Sequence, residues 1–176
     1  MSIYTGKGDD GLTFCMLLGR RIPKDHPLIE FLGCLDEANS LLGIIRAYLP
    51  DKEDKELIIY LQRLLFRIGF TVSGKPSISK DDLSRLEEYA DHFYSVSPLK
   101  EFILPGGDIV TSNIHLARTV VRRVERRFIT ISRDMDIPKS DLILKILNRL
   151  SDMLFAYSLY LAKKRGVENI PLHERD

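Results

Sequence analysis

The stretch His115-Leu-Ala-Arg118-Thr-Val-Val-Arg122-Arg123-Val-Glu125-Arg126-Arg127 decides how this chain is read. At helical spacing Ile114, Ala117, Val121, Val124 and Phe128 form one apolar stripe, and His115, Arg118, Arg122 and Glu125 run beside it at i, i+3, i+7 and i+10. The segment therefore reads as a helix whose charges border a core. Arginine presents a planar fork of donors matched to carboxylate and phosphate oxygens, so a ladder of them at a core edge suits a polyphosphate. An exposed, salt-bridged face has the same composition.

The helical period extends on both sides. Leu28, Phe31, Leu32, Leu35, Leu42, Ile45 and Leu49 recur at threes and fours between Pro27 and the stop at Pro50. Leu57, Leu61, Leu64, Leu65, Ile68 and Val72 repeat the pattern after the acidic cluster Asp51 to Glu56, whose charge suits a helix N-terminus; Gly74 and Pro76 break it. Ser79 with Asp82 resembles a capping box for a third helix carrying Leu83, Leu86, Ala90 and Phe93 up to Pro98. The arginine helix follows Leu104-Pro105-Gly106-Gly107. Ser140 or Asp141 can cap a fifth helix, whose apolar line from Ile143 to Leu161 closes at Lys163-Lys164-Arg165-Gly166. Five helices with mostly short connections predict an all-α, ferritin-like up-and-down bundle. Ile3-Tyr4-Thr5 and Thr13-Phe14-Cys15 have strand composition, but the neighbouring glycines favour a loop.

A chain of 176 residues with 44% hydrophobic and 29% charged residues is expected to make one domain: a head over 1–25, helices over 26–165 and a tail over 166–176. Lys plus Arg (26) nearly cancels Asp plus Glu (25), which excludes the long-range positive field of a nonspecific nucleic-acid binder. Cys15 and Cys34 lack metal-ligand spacing, the N-terminus lacks a signal-peptide pattern, and no apolar run approaches the roughly 20 residues that span a bilayer. A cytoplasmic protein with reduced thiols, away from membranes, is expected.

Some polar residues fall on faces where apolar ones would pack. Asp36, Asn39 and Gly43 share a face of the first helix, and Asn148 and Asp152 lie at i, i+4 on the fifth. They suit a solvated stripe or a satisfied interhelical network. A di-metal bundle site is disfavoured: Glu-x-x-His pairs are absent, and His26, His92, His115 and His173 are scattered. The head, Tyr4-Thr5-Gly6-Lys7-Gly8-Asp9-Asp10-Gly11-Leu12-Thr13, has the glycines and cation of a loop that lets backbone approach a phosphate. It matches neither a P-loop nor a Rossmann loop, and tight turns use the same residues.

Six blocks in order resemble the PduO-type ATP:cob(I)alamin adenosyltransferases. They are Tyr4-Thr5-x-x-Gly8-Asp9-x-Gly11, Pro23-Lys24-Asp25, Leu35-Asp36-Glu37-x-Asn39, Phe102-Ile-Leu-Pro-Gly-Gly107, His115-x-Ala-Arg118-x-x-x-Arg122-Arg123-x-Glu125-Arg126, and Leu147-Asn148-Arg-Leu-Ser-Asp152-x-Leu-Phe155. The resemblance implies a five-helix bundle forming a homotrimer with sites between subunits. It also implies transfer of the 5′-deoxyadenosyl group of MgATP to the cobalt of reduced cobalamin, with release of triphosphate. The magnesium would arrive with ATP, since no metal motif is present. A reductase and an adenosylcobalamin-dependent mutase are the implied partners.

By the same resemblance, Thr5, Gly6, Lys7, Gly8, Thr13 and Lys24 would hold the ATP phosphates. Arg118 and Arg122 would neutralise the triphosphate, with Arg123 and Arg126 nearby. Glu125 would orient the nucleotide and its cation, and Asn148 would bond the nucleoside. Asp36 would pair with Arg118 across a subunit boundary. Phe102 and Phe155 would face the corrin, Phe102 displacing the lower axial ligand so that Co(II) is more readily reduced. Outside the resemblance, Phe102 reads as a core or hinge aromatic. Because cob(I)alamin is itself the nucleophile, alignment and a stabilised leaving group suffice.

The head departs from the family's common Thr-Lys-Thr-Gly-Asp-Lys-Gly. Its first lysine is shifted by one to Lys7, and Asp10 replaces the second. Asp10 close to a triphosphate would repel it unless it faced solvent or the metal ion. The stretch from Met16 to Ile22 is one residue longer than usual. A noncatalytic bundle that binds nucleotide or cobalamin and passes it on is the alternative function.

Overall fold

The computed structural model describes residues 3–99 and 101–172; His173 and the last residues of the tail lie outside them. Strands β1 (Leu12–Cys15) and β2 (Arg20–Pro23) precede helices α1 (Pro27–Tyr48), α2 (Lys52–Val72), α3 (Lys80–Val96), α4 (Ile109–Asp134) and α5 (Ser140–Lys164). The head is thus an antiparallel hairpin, with Leu12 opposite Pro23 and Cys15 opposite Arg20, where a loop was expected. Gly19, at a φ of 63°, supplies the left-handed residue just before β2. Buried Cys15 and Ile22 anchor the hairpin on the bundle, a tertiary contact that local glycine content does not report.

The helices form one bundle around a shared apolar core in which Ile114, Ala117, Val121, Val124 and Phe128 are all buried. Helix α4 packs between α1 and α5, α2 packs against α1, and α3 packs against α5. Glu37 meets Arg123 and Glu30 meets Arg127, while Asn148 meets Glu125 and Phe155 meets His115, so α4 runs antiparallel to both neighbours. The helices alternate in direction as expected, which leaves α3 and α5 running the same way. Glu87 meets Arg149 and the Val96 carbonyl meets Lys163, so α3 lies parallel to α5. Because α3 and α4 both pack on α5 and not chiefly on each other, the connection between them must pass over the end of the bundle. Residues 97–99 and 101–108 therefore traverse one end of the bundle before α4 begins, and that crossover carries Phe102.

Asp108 ends the crossover and caps α4. Its Oδ1 accepts from the backbone N–H groups of Val110 (3.0 Å) and Thr111 (2.9 Å), while the Thr111 hydroxyl accepts from Asp108 N–H at 3.0 Å. Arg165 of α5 donates to the other carboxylate oxygen at 2.5 Å. Gly107 is required here: its φ is 104°, and a Cβ would stand 2.5 Å from Thr111 Oγ1. Val167 also approaches this glycine, so both the cap and the tail fix the exit of the crossover.

The Ser79–Asp82 capping box forms as expected. Neither Ser140 nor Asp141 caps α5: Lys139 takes that place in a left-handed conformation (φ 57°), and its ammonium donates to the Ile78 carbonyl at 2.5 Å. The acidic start of α2 also serves a tertiary purpose. Tyr157 donates to buried Asp54 at 3.0 Å, and Lys164 donates to the other Asp54 oxygen at 2.8 Å, tying α2 to α5.

Candidate functional site

The crossover, α4 and α5 enclose a cavity of about 310 Å³. Phe102, Ile103 and Pro105 form one wall; His115, Arg118 and Arg122 come from α4; Ser151, Asp152 and Phe155 come from α5. The helical periods explain the convergence, because residues 115, 118 and 122 are successive turns of one face. The cavity thus gathers two cations and two aromatic rings.

Phe102 is 77% exposed, so the core reading of this ring is excluded. Its backbone is held instead: the Phe102 carbonyl accepts from Leu172 N–H at 2.7 Å, and Leu104 N–H donates to the Ile170 carbonyl at 2.8 Å. The tail therefore runs beside the crossover and braces it while the ring projects freely. An exposed aromatic on a braced backbone is available to stack against a flat apolar partner.

Arg118 is half-buried, with its guanidinium 5.6 Å from the Phe155 ring centroid. Its Nε is buried without a hydrogen-bond partner. Burial, reinforced by the Arg122 charge, lowers the pKa of Arg118 from its ordinary value. A desolvated guanidinium beside a second cation is poised for an anion. His115 lies beneath, 4% exposed, with Nδ1 unpartnered; burial and the Arg118 charge push its pKa below the usual imidazole value. It is a neutral member of the floor rather than a rung of the cationic ladder.

Farther along α4, Asn148 donates to Glu125 at 3.1 Å across the seam with α5. Asp152 accepts from Arg149 at 2.9 Å. The polar pair on α5 is therefore a solvent-edge arrangement. On the other side of α4, Arg123 bonds Glu37 and Arg127 lies 3.6 Å from Glu30, while Arg126 is exposed. Only part of the arginine run faces the cavity; the rest is the salt-bridged surface that the sequence also allowed.

The remaining expected site residues lie elsewhere in the chain. Asp36 is exposed and lines a separate groove between α1 and α2 with Phe66 and Phe70, two half-exposed rings. Asn39, on the same face, is buried with its side-chain oxygen unpartnered. Thr5, Gly6, Lys7, Gly8, Thr13 and Lys24 belong to the head. Among the described residues its side-chain hydrogen bonds run within residues 5–24: Lys24 donates to the Gly8 carbonyl at 2.7 Å, and Thr5 accepts from Lys7 N–H at 3.4 Å. One chain therefore assembles the arginine cavity, with the glycine-rich loop and Asp36 on other parts of its surface.

Sequence reading missed three contributors. Ser151 and Asp152 enter the cavity because α5 packs on α4; their place in the Leu147 to Phe155 block and the i, i+4 relation of Asp152 to Asn148 were the signals available. Arg21 binds Asp10 through both carboxylate oxygens, at 2.9 and 2.5 Å, a pairing created by the hairpin register. Among the described residues no three or more His, Cys, Asp or Glu side chains gather as a metal site, and no helix is long and apolar enough to cross a membrane.

Comparison with known proteins places this geometry among relatives. The family described as Cobalamin adenosyltransferase matches residues 3–161. The corrinoid adenosyltransferase PduO of Salmonella typhimurium is 36% identical over 165 residues, covering 89% of this chain and 48% of that protein. The chain thus spans about half the length of that relative. The corrinoid adenosyltransferase of Bacillus subtilis is 35% identical, covering 97% of this chain and 91% of that one. A variant PduO-type ATP:corrinoid adenosyltransferase from Lactobacillus reuteri, complexed with cobalamin and ATP, superposes with a TM-score of 0.86 at 29% identity, covering 98% of this chain and 100% of that one.

Proposed function

As this chain belongs to the cobalamin adenosyltransferase family, we propose that it transfers the 5′-deoxyadenosyl group of MgATP to the cobalt of reduced cobalamin, forming adenosylcobalamin and triphosphate. The bond formed is cobalt to C5′; the bond broken is C5′ to the triphosphate oxygen. The observation that carries this reading is the cavity that sets exposed Phe102 beside Arg118 and Arg122. A planar apolar reactant fits the ring, and a polyanionic leaving group fits the paired guanidiniums.

In this reading Arg122 and Arg118 stabilise the departing triphosphate, with Arg123 and Arg126 adding positive charge nearby. Glu125 and Asn148, already bonded, orient the nucleoside and its magnesium. Thr5, Gly6, Lys7, Gly8, Thr13 and Lys24 hold the phosphates, and Phe102 and Phe155 contact the corrin. No protein nucleophile is required, because Co(I) attacks C5′ directly and the protein supplies alignment and charge.

Sites between the subunits of a homotrimer account for two features of the single chain. Among the described residues the head's side-chain hydrogen bonds run within residues 5–24, and Arg118 Nε lacks a partner while Asp36 stands exposed on another face. A neighbouring copy brings these groups together. The chain works as one domain, with 1–25 as nucleotide-binding loop, 26–165 as bundle and 166–176 as tail, in the cytoplasm beside a reductase and an adenosylcobalamin-dependent mutase.

The test is to mix protein, MgATP and chemically reduced cobalamin. A light-sensitive cobalt–carbon bond appearing with stoichiometric triphosphate is expected. Tight binding of both reactants without product would replace the enzyme with the noncatalytic carrier.

A further inference from the structure

Asp10 stands in the head where resemblance leads one to expect a lysine, yet the structure does not leave it as a bare charge. The Arg21 guanidinium, reaching back from β2, donates to both its carboxylate oxygens, at 2.9 and 2.5 Å. The same Nη2 group lies 2.5 Å from the Lys7 carbonyl and 3.4 Å from the Leu12 carbonyl. Leu12 N–H donates to Asp10 Oδ1 at 3.2 Å, closing the ring of contacts. Arg21, ahead of the Leu12 N–H, holds the Asp10 carboxyl below its ordinary carboxylate range.

This arrangement joins the two ends of the loop to the hairpin. Lys7 and Gly8 occupy the segment whose backbone would approach phosphate. Arg21 grips the carbonyl of Lys7, and Lys24 grips that of Gly8 at 2.7 Å. With both carbonyls turned onto cations, the single N–H between them, that of Gly8, is left for an anion. A guanidinium can hold a carboxylate and a carbonyl at once because its donors are fixed in a plane; an ammonium lacks that fork.

We propose that Arg21 is a positioning residue of the nucleotide site: clasping Asp10 and the Lys7 carbonyl, it sets the head to receive the triphosphate and cancels the acid's repulsion. The proposal rests on the adenosyltransferase reading for the identity of the ligand. It gives the Asp10 departure a positive role, since Asp10 is what holds the guanidinium in place.

The experiment measures binding of MgATP and of inorganic triphosphate to the full chain by titration calorimetry, together with steady-state transfer to prereduced cobalamin. Arg21→Ala is expected to raise the dissociation constants and the KM for ATP about five- to tenfold with kcat little changed, while Arg21→Lys restores only part of the loss. Asp10→Ala is expected to weaken binding in the same direction, and the double variant to be no worse than either single one. Amide hydrogen exchange across residues 7–12 should quicken in each variant, with the melting temperature of the bundle preserved.

The sign of the Asp10 effect is decisive. Tighter binding in Asp10→Ala means either that the acid merely repels phosphate or that Arg21 binds phosphate itself; both overturn the clasp. Unchanged binding in Arg21→Ala also overturns it. If the wild-type protein binds MgATP but forms no cobalt–carbon bond, the transferase reading fails while the binding measurements still decide the clasp.

Discussion

The guanidinium of Arg118 lies 5.6 Å from the centroid of the Phe155 ring, joining α4 to α5 at the floor of the cavity. A cation held over a ring keeps its charge while losing much of its water, so Arg118 is preset for an anion. Arg122, one turn away and exposed, lacks that support and is free to follow its ligand. Arg122→Ala is accordingly expected to weaken ATP use by about 1.5–3 kcal/mol, through loss of charge-assisted hydrogen bonds, with folding intact. Unchanged kcat/KM for ATP in a normally folded variant would remove Arg122 from the site.

Asp36 tests the subunit boundary. Because Asp36 is exposed in one chain, Asp36→Ala should leave the isolated fold stable. If it pairs with Arg118 of a second copy, its loss strands a desolvated cation there and should weaken assembly by about 2–5 kcal/mol. Sedimentation across a dilution series and activity at each concentration measure this together. A variant that assembles and turns over like wild type rules the pair out.

Phe102→Ala separates corrin chemistry from nucleotide binding. A buried phenylalanine would cost about 3–5 kcal/mol on truncation, but a ring 77% exposed should leave the melting temperature nearly unchanged. ATP binding should persist, while the spectral signature of four-coordinate cob(II)alamin disappears and turnover from Co(II) collapses. From prereduced Co(I) the defect should be much smaller. Equal losses from Co(I) and Co(II) would overturn the ligand-displacement role.

His115 carries a pH signature. Its folded-state pKa lies below the reference value of 6.5, through burial and the Arg118 charge. Above that reference value the imidazole is neutral in both states and stability does not depend on it. As pH falls below it, the unfolded chain takes up a proton that the folded chain resists, so stability declines until the folded pKa is passed. Urea unfolding between about pH 7.5 and 5 should show a shallower decline in His115→Gln than in wild type. Parallel profiles would show that His115 is not the group responsible.

Local chemistry already contained the helices. The stripe from Ile114 to Phe128, the capping box at Ser79 and Asp82, and the stops at Pro50 and Gly74 are neighbour relations along the chain, and each appears in the structure. The order of the motifs likewise carried the family, and within α4 the spacing of His115, Arg118 and Arg122 follows the helical period. What the chain could not announce is which helix lies beside which. The docking of α3 on α5, rather than beside α4, turns residues 97–99 and 101–108 into a crossover and carries Phe102 over the arginine face. The hairpin register brings Arg21 to Asp10 across ten intervening residues, and packing sinks His115 while leaving Arg126 in water. Periodicity assigns a residue to a face through bonds only a few residues long; whether that face meets core, solvent or another charge is decided by contacts distant in sequence, where the free energies of burial and ion pairing are settled.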